Sequence, residues 1–225
     1  MSLVAGRGPL GPDRAGWFSA PVATPIVYVE PHPRRVQAVR DGQSVIDTEN
    51  ALLVHRAGAP LSYAFPMGET ADLPTEPEPE APGYVRVPWD AVDTWVEEGR
   101  PLVHYPPNPY HRVDCRPTRR RLRVLVAGEV LVDTDDTVIV FETALAPRLY
   151  VAPEHVRTGL LRRTDTSSYC NYKGYATYWA AGDIDDVAWS YDEPLPETRP
   201  IAGYFSFDGE RAEVSAELPS PDRRP

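Results

Sequence analysis

The stretch SYCNYKGYATYW, residues 168–179, gathers one thiol, one amine and five aromatic rings. Cys170 is its candidate nucleophile. A thiolate becomes reactive beside a cation, a base or a helix N-terminus, and a turn over Asn171 and Tyr172 could bring the Lys173 amine near the sulfur. Glu142 would supply an acid or base. No Ser-His-Asp order accompanies them, and the phosphate loop Gly-x-x-x-x-Gly-Lys-Ser/Thr is absent. The same residues also suit a ligand pocket. Gly174 would let the backbone approach a ligand whose negative group meets Lys173. Tyr150, Trp179 and Trp189 would supply planar walls, with the indole N–H groups orienting the ligand. A third reading is an aromatic core entered through a Lys-Gly turn, with Cys170 as a small buried hydrophobe.

Other chemistries find less support. The histidines His32, His55, His104, His111 and His155 are scattered and no C-x-x-C pair occurs, so the spacing predicts no zinc site and calls for no cofactor. The two cysteines, Cys115 and Cys170, are too few for a disulfide framework. Free thiols in a cytoplasmic protein follow, with Cys115 serving as the reference against which the reactivity of Cys170 is judged. A net charge of -10 repels a phosphate backbone, which argues against nucleic acid as the partner. The basic cluster from Arg116 to Arg121 reads as a solvated strand entry. No apolar run approaches the ~18 residues of a membrane span. The expected partner is therefore an unidentified small molecule, with a noncatalytic protein-interaction or scaffold role as the alternative.

The elements that must position these residues read as strands. Twenty-six prolines in 225 residues is well above the usual ~5%, and proline interrupts helices and central strands alike. Residues 36–66 and 124–153 echo one another. Gly42, Asp47, Thr48 and Val54 match Gly128, Asp133, Thr134 and Val140, each pair 86 apart. One extra residue then aligns Pro60, Tyr63 and Pro66 with Pro147, Tyr150 and Pro153, 87 apart. Leu122, Val124 and Val126 alternate as a half-buried strand, and Val138 to Phe141 is a run suited to burial on both faces. Residues 154–161 allow one or two helical turns. Tyr175 to Ala180, Val187 to Tyr191 and Ile201 to Phe207 read as further strands.

A mainly β fold of two related small units, with few short helices, is the expectation. The divisions are an N-terminal extension (1–33), a shortened first repeat (34–115), a basic linker (116–121), a complete second repeat (122–218) and a tail (219–225). The first repeat contains an acidic, proline-rich insert at 67–83 with too little apolar surface to order itself well. It lacks about 33 residues relative to the second repeat, including the opening stretch. Trp89 and Trp95 read as core.

Three segments of the second repeat, FETALAPRLYVAPEHV, SYCNYKGYATYW and VAWSYDEPLPE, together resemble the bacterial family known as domain of unknown function 427. Its pattern runs W/F-E-T-G, then C-P-Y-K-G-x-A-x-Y-W, then A-W-x-Y-x-x-P. The junction NPYHRVDCRPTRRRLRV is similar to that of tandem members. The resemblance covers most of 121–207, with a weaker echo over 34–115. Asn171 stands where the pattern has proline, and Ala144 and Leu145 replace its glycine context. The resemblance implies a compact β-tent-like fold, related to the thalidomide-binding domain of cereblon and to methionine sulfoxide reductase B. A nucleotidyltransferase label is attached to the family, and a label alone does not establish an activity.

Overall fold

The computed structural model describes residues 10–14, 16–22 and 26–219. The expected tail, beyond Pro219, and parts of the expected N-terminal extension lie outside them. The chain divides into two compact units, residues 1–111 and 112–225. Both are built from antiparallel strands joined by short 3-10 turns, so the protein is mainly β.

In the first unit one sheet runs β1 (Val27–Pro31), β4 (Leu52–Arg56), β5 (Ser62–Pro66), β7 (Tyr84–Arg86) and β6 (Glu76–Pro77) in spatial order. The other runs β3 (Gln43–Thr48), β2 (Val36–Arg40), β8 (Thr94–Glu97) and β9 (Arg100–Leu102). Val36 and Ala38 alternate inward from β2 and meet Leu53, Phe65 and Trp95 in one core. Trp89, on a 3-10 turn, stacks on Trp95 with ring centroids 5.3 Å apart.

Among its described residues the second unit has three sheets. The first is β10 (Val113–Thr118), β13 (Thr137–Glu142) and β14 (Arg148–Tyr150). The second is β12 (Glu129–Thr134), β11 (Leu122–Val126) and β19 (Glu213–Ala216). The third is β15 (Leu161–Cys170), β16 (Gly174–Ala181), β17 (Ile184–Ser190) and β18 (Phe205–Phe207). Strand β13 is buried on both faces. Ile139 joins a core with Leu122, Val124, Leu149, Val187 and Phe205, while Val138 and Val140 join a second with Tyr150, Ala176 and Tyr191. Residues 154–161 carry the 3-10 turn Thr158–Leu160 and part of Pro153–His155.

The strand ladders of the two units correspond at a fixed step. Val27 pairs with Arg56 and Val113 with Glu142, and both members advance by 86. The β2–β3 ladder shifts register between Ala38 and Val39, and the β11–β12 ladder between Val124 and Leu125, again 86 on. Both hairpins turn through two left-handed residues, Asp41-Gly42 and Ala127-Gly128, as tight hairpins require. Arg35 pairs with Asp47 at 2.5 Å and Arg121 with Asp133 at 2.7 Å, 86 residues on at both ends.

Several expectations need correction. The 87-residue step from Tyr63 to Tyr150 fails, because Leu53 pairs with Tyr63 while Ile139 pairs with Leu149. Tyr63 therefore corresponds to Leu149, and a slip of one residue changes face. The expected linker at 116–121 begins inside β10, which pairs with β13 through Thr118. Strand β1 falls where the N-terminal extension was expected, and it pairs with β4. Ile201 ends a 3-10 helix, Pro196–Ile201, and the strand beyond it starts at Phe205.

The insert at 67–83 is also ordered. Strand β6 pairs with β7, and the Glu78 side chain is fully buried between Arg56 and Arg86. Charge pairing supplies what its composition lacks in apolar area.

Candidate functional site

Glu142 ends β13, at the edge of the core formed by Val138, Val140 and Tyr150. Lys173 lies in the turn between β15 and β16, where its N–H donates to the Cys170 carbonyl at 3.2 Å. That turn aims the amine at Glu142, and Lys173 Nζ donates to Glu142 Oε2. Their side chains are only 8% and 11% exposed, so this is a nearly buried ion pair. The ammonium also lies 6.0 Å from the centre of the Tyr191 ring, within cation–π range.

Gly174 has φ +96°, a left-handed conformation that disfavours side chains. A Cβ there would stand 3.4 Å from the Glu193 carbonyl oxygen. The Lys173 carbonyl accepts the Leu195 N–H at 3.0 Å. The close backbone approach expected of a ligand at Gly174 is thus made by the chain's own Glu193–Leu195 segment.

The aromatics divide between two cores. Trp189 Nε1 donates to the Tyr150 hydroxyl at 3.2 Å, and the Arg148 guanidinium lies 4.9 Å over the Trp189 ring. Tyr150 and Trp189 therefore share the core beside Lys173 and Glu142, together with Tyr178 and Tyr191. Burial raises the Tyr150 and Tyr191 phenols above the ordinary tyrosine range, so both stay protonated. Trp179 is elsewhere. It pairs across the sheet with Ala188, contacts Phe205 at 5.4 Å and donates to Ser190 Oγ at 3.0 Å. The expectation that Trp179 and Trp189 wall one pocket fails because adjacent strands place directly opposed residues on one face, and Trp189 opposes Tyr178. Val187 likewise joins the other core rather than sharing the face of Trp189 and Tyr191.

Cys170 is half-buried against the same core as Lys173's neighbours, and so is Cys115. Cys115 thus packs in the same cluster as Cys170. Its place is set by β10, where it pairs with Val140. Burial, then the Asp114 charge, raise the Cys115 thiol above its ordinary value, opposed by Lys173. A thiol so held is poorly activated. Sequence spacing alone did not bring it here, because Cys115 is 55 positions from Cys170 and only the pairing of β10 with β13 sets it beside this core.

The structure also gives a reason for a glycine in the family pattern after Glu142-Thr143. Ala144 occupies that position at φ +65°, in the left-handed region where glycine is favoured. Leu145 N–H donates to the Glu142 carbonyl at 3.0 Å, closing the turn that ends β13.

No curated protein matches the chain. Residues 114–217, nearly all of the second unit, match the model of the family described as a domain of unknown function (DUF427), and it is to this family that the second unit is similar.

Proposed function

We propose that the second unit is a small-molecule-binding β module whose ligand contacts centre on Lys173, Glu142, Tyr150 and Trp189. The carrying observation is the nearly buried Lys173–Glu142 pair set against Tyr191 and the hydrogen-bonded Trp189–Tyr150 couple. Such a site suits a planar molecule with an anionic or carbonyl group: Lys173 would meet that group, and the Trp189 ring would stack on the plane. We further infer that the two units are copies of one β unit and that the first has lost the β15–β17 region. The constant step of 86 through the strand ladders supports this. Two free thiols fit a reducing, cytoplasmic setting.

A thermal-shift screen of planar metabolites tests the site. A ligand bound there raises the melting temperature of the wild type and of Trp179→Phe, which alters the other core. It leaves Trp189→Leu unshifted. A ligand that stabilises all three alike would remove the reading.

A further inference from the structure

A second feature of the second unit lies away from Lys173. A groove of about 230 Å³ opens at the end of the other core, lined by Leu122, Leu149, Phe207, Val214, Ala216 and Arg148 among others. The reason for the groove emerges from the corresponding place in the first unit. Val36 pairs with Glu97 and Leu122 with Ala216; Ala38 pairs with Trp95 and Val124 with Val214. With Tyr63 corresponding to Leu149, the first unit fills this place with an indole, a phenol and a carboxylate. At the matching positions the second unit has Val214, Leu149 and Ala216.

In the first unit the filling is complete. Trp95, Tyr63 and Glu97 are 2%, 3% and 5% exposed. The Trp95 ring lies parallel to Phe65 at 5.8 Å and packs on Tyr63 at 6.1 Å. Strand β9 then pairs with β8 and sets Leu102 opposite Trp95. Among the described residues of the second unit, β19 ends its sheet and has no strand in the place of β9. The same frame is plugged by the chain's own aromatic rings in one unit and left open in the other.

We propose that this groove is a binding site for a planar aromatic molecule of one or two rings, which takes the place that Trp95 fills in the first unit. The lining is apolar apart from Arg148 and Ser206. An apolar cavity of about 150 Å³ suffices for benzene, so the space here accommodates a bicyclic ring. Ligand affinity would come from burying that ring against Leu122, Leu149, Phe207 and Val214. The site rests on the correspondence of the two ladders and not on the Lys173 reading.

The test is a titration of the full-length protein with indole, followed by NMR. Amide shifts confined to Leu122, Leu149, Phe207, Val214 and Ala216, and saturable, are expected. Val214→Trp rebuilds the plug of the first unit and lowers indole affinity about tenfold or more, with the circular dichroism spectrum retained. Ala216→Leu, a smaller filling, lowers it in the same direction and stands in if Val214→Trp misfolds. Tyr191→Leu, beside Lys173 in the other core, leaves indole binding unchanged, which separates this site from the one at Lys173. Indole shifts that are absent, spread over the whole unit, or equal in wild type and both groove variants would overturn the proposal.

Discussion

At the scale of single residues, the most telling position is the end of the second strand of the central ladder, Arg56 in one unit and Glu142 in the other. Each holds an ion pair, with opposite polarity. Arg56 donates to Glu78 of the short insert, and Glu142 accepts from Lys173 of the long one. Both inserts therefore satisfy a charge on the strand they cover. A buried pair contributes little net stability, because desolvation offsets most of the attraction, but breaking it leaves one charge unpaired in a dry place. Lys173→Met is therefore expected to destabilise the protein by about 3–5 kcal/mol, read from urea unfolding. Adding Glu142→Leu should recover much of that loss. If the double variant is no more stable than Lys173→Met, the pair is not the source of the effect.

At the scale of elements, the β15–β16 hairpin depends on a turn that only glycine suits. Gly174 takes φ +96° while its backbone packs under Glu193 and Leu195. A side chain in the left-handed region costs about 1–2 kcal/mol, and here a Cβ would also press on a carbonyl oxygen. Gly174→Ala should lower stability by at least that amount, measured by chemical unfolding; a neutral result would mean that the segment from Glu193 gives way freely. The strands themselves were legible in the sequence. Alternation in Leu122, Val124 and Val126 follows from a period of two, and the apolar run at Val138–Val140 from burial on both faces; both patterns stand in the order of the residues. The Lys173–Glu142 pair was also legible as a set of chemical types. What the sequence hid was face and partner. The side of the sheet taken by Trp179 depends on which residue it opposes, and Tyr63 matched Tyr150 by letter although the ladder pairs it with Leu149's place. The burial of Glu78 was hidden too, because its partners Arg56 and Arg86 lie on other strands.

At the scale of the whole molecule, two units of similar strand scheme differ at the same end of their cores, where only the first carries a carboxylate, and this predicts different responses to acid. The first unit buries the Glu97 carboxylate at that end. It accepts from His32 at 2.9 Å, from the Tyr63 hydroxyl at 2.5 Å and from Arg34. Burial alone would raise its pKa, but the hydrogen bonds from His32, Tyr63 and Arg34 prevail and hold it at about 2, below the ordinary value of 4.5. In the second unit the corresponding residue is Ala216. A carboxyl whose folded pKa is depressed stabilises the fold above its unfolded pKa and loses that contribution as pH falls through the folded value. The stabilisation from Glu97 is thus fully present at neutral pH, on the order of 3 kcal/mol, and is lost progressively between pH 4.5 and about 2. Hydrogen exchange followed residue by residue should show protection at Val36, Leu53 and Trp95 falling over that window. Glu97→Gln should weaken the same amides at neutral pH and flatten their acid dependence, leaving Val124, Ile139 and Val187 unmoved. Equal acid sensitivity of the wild type and Glu97→Gln at the first-unit amides would show that some other group governs acid unfolding there.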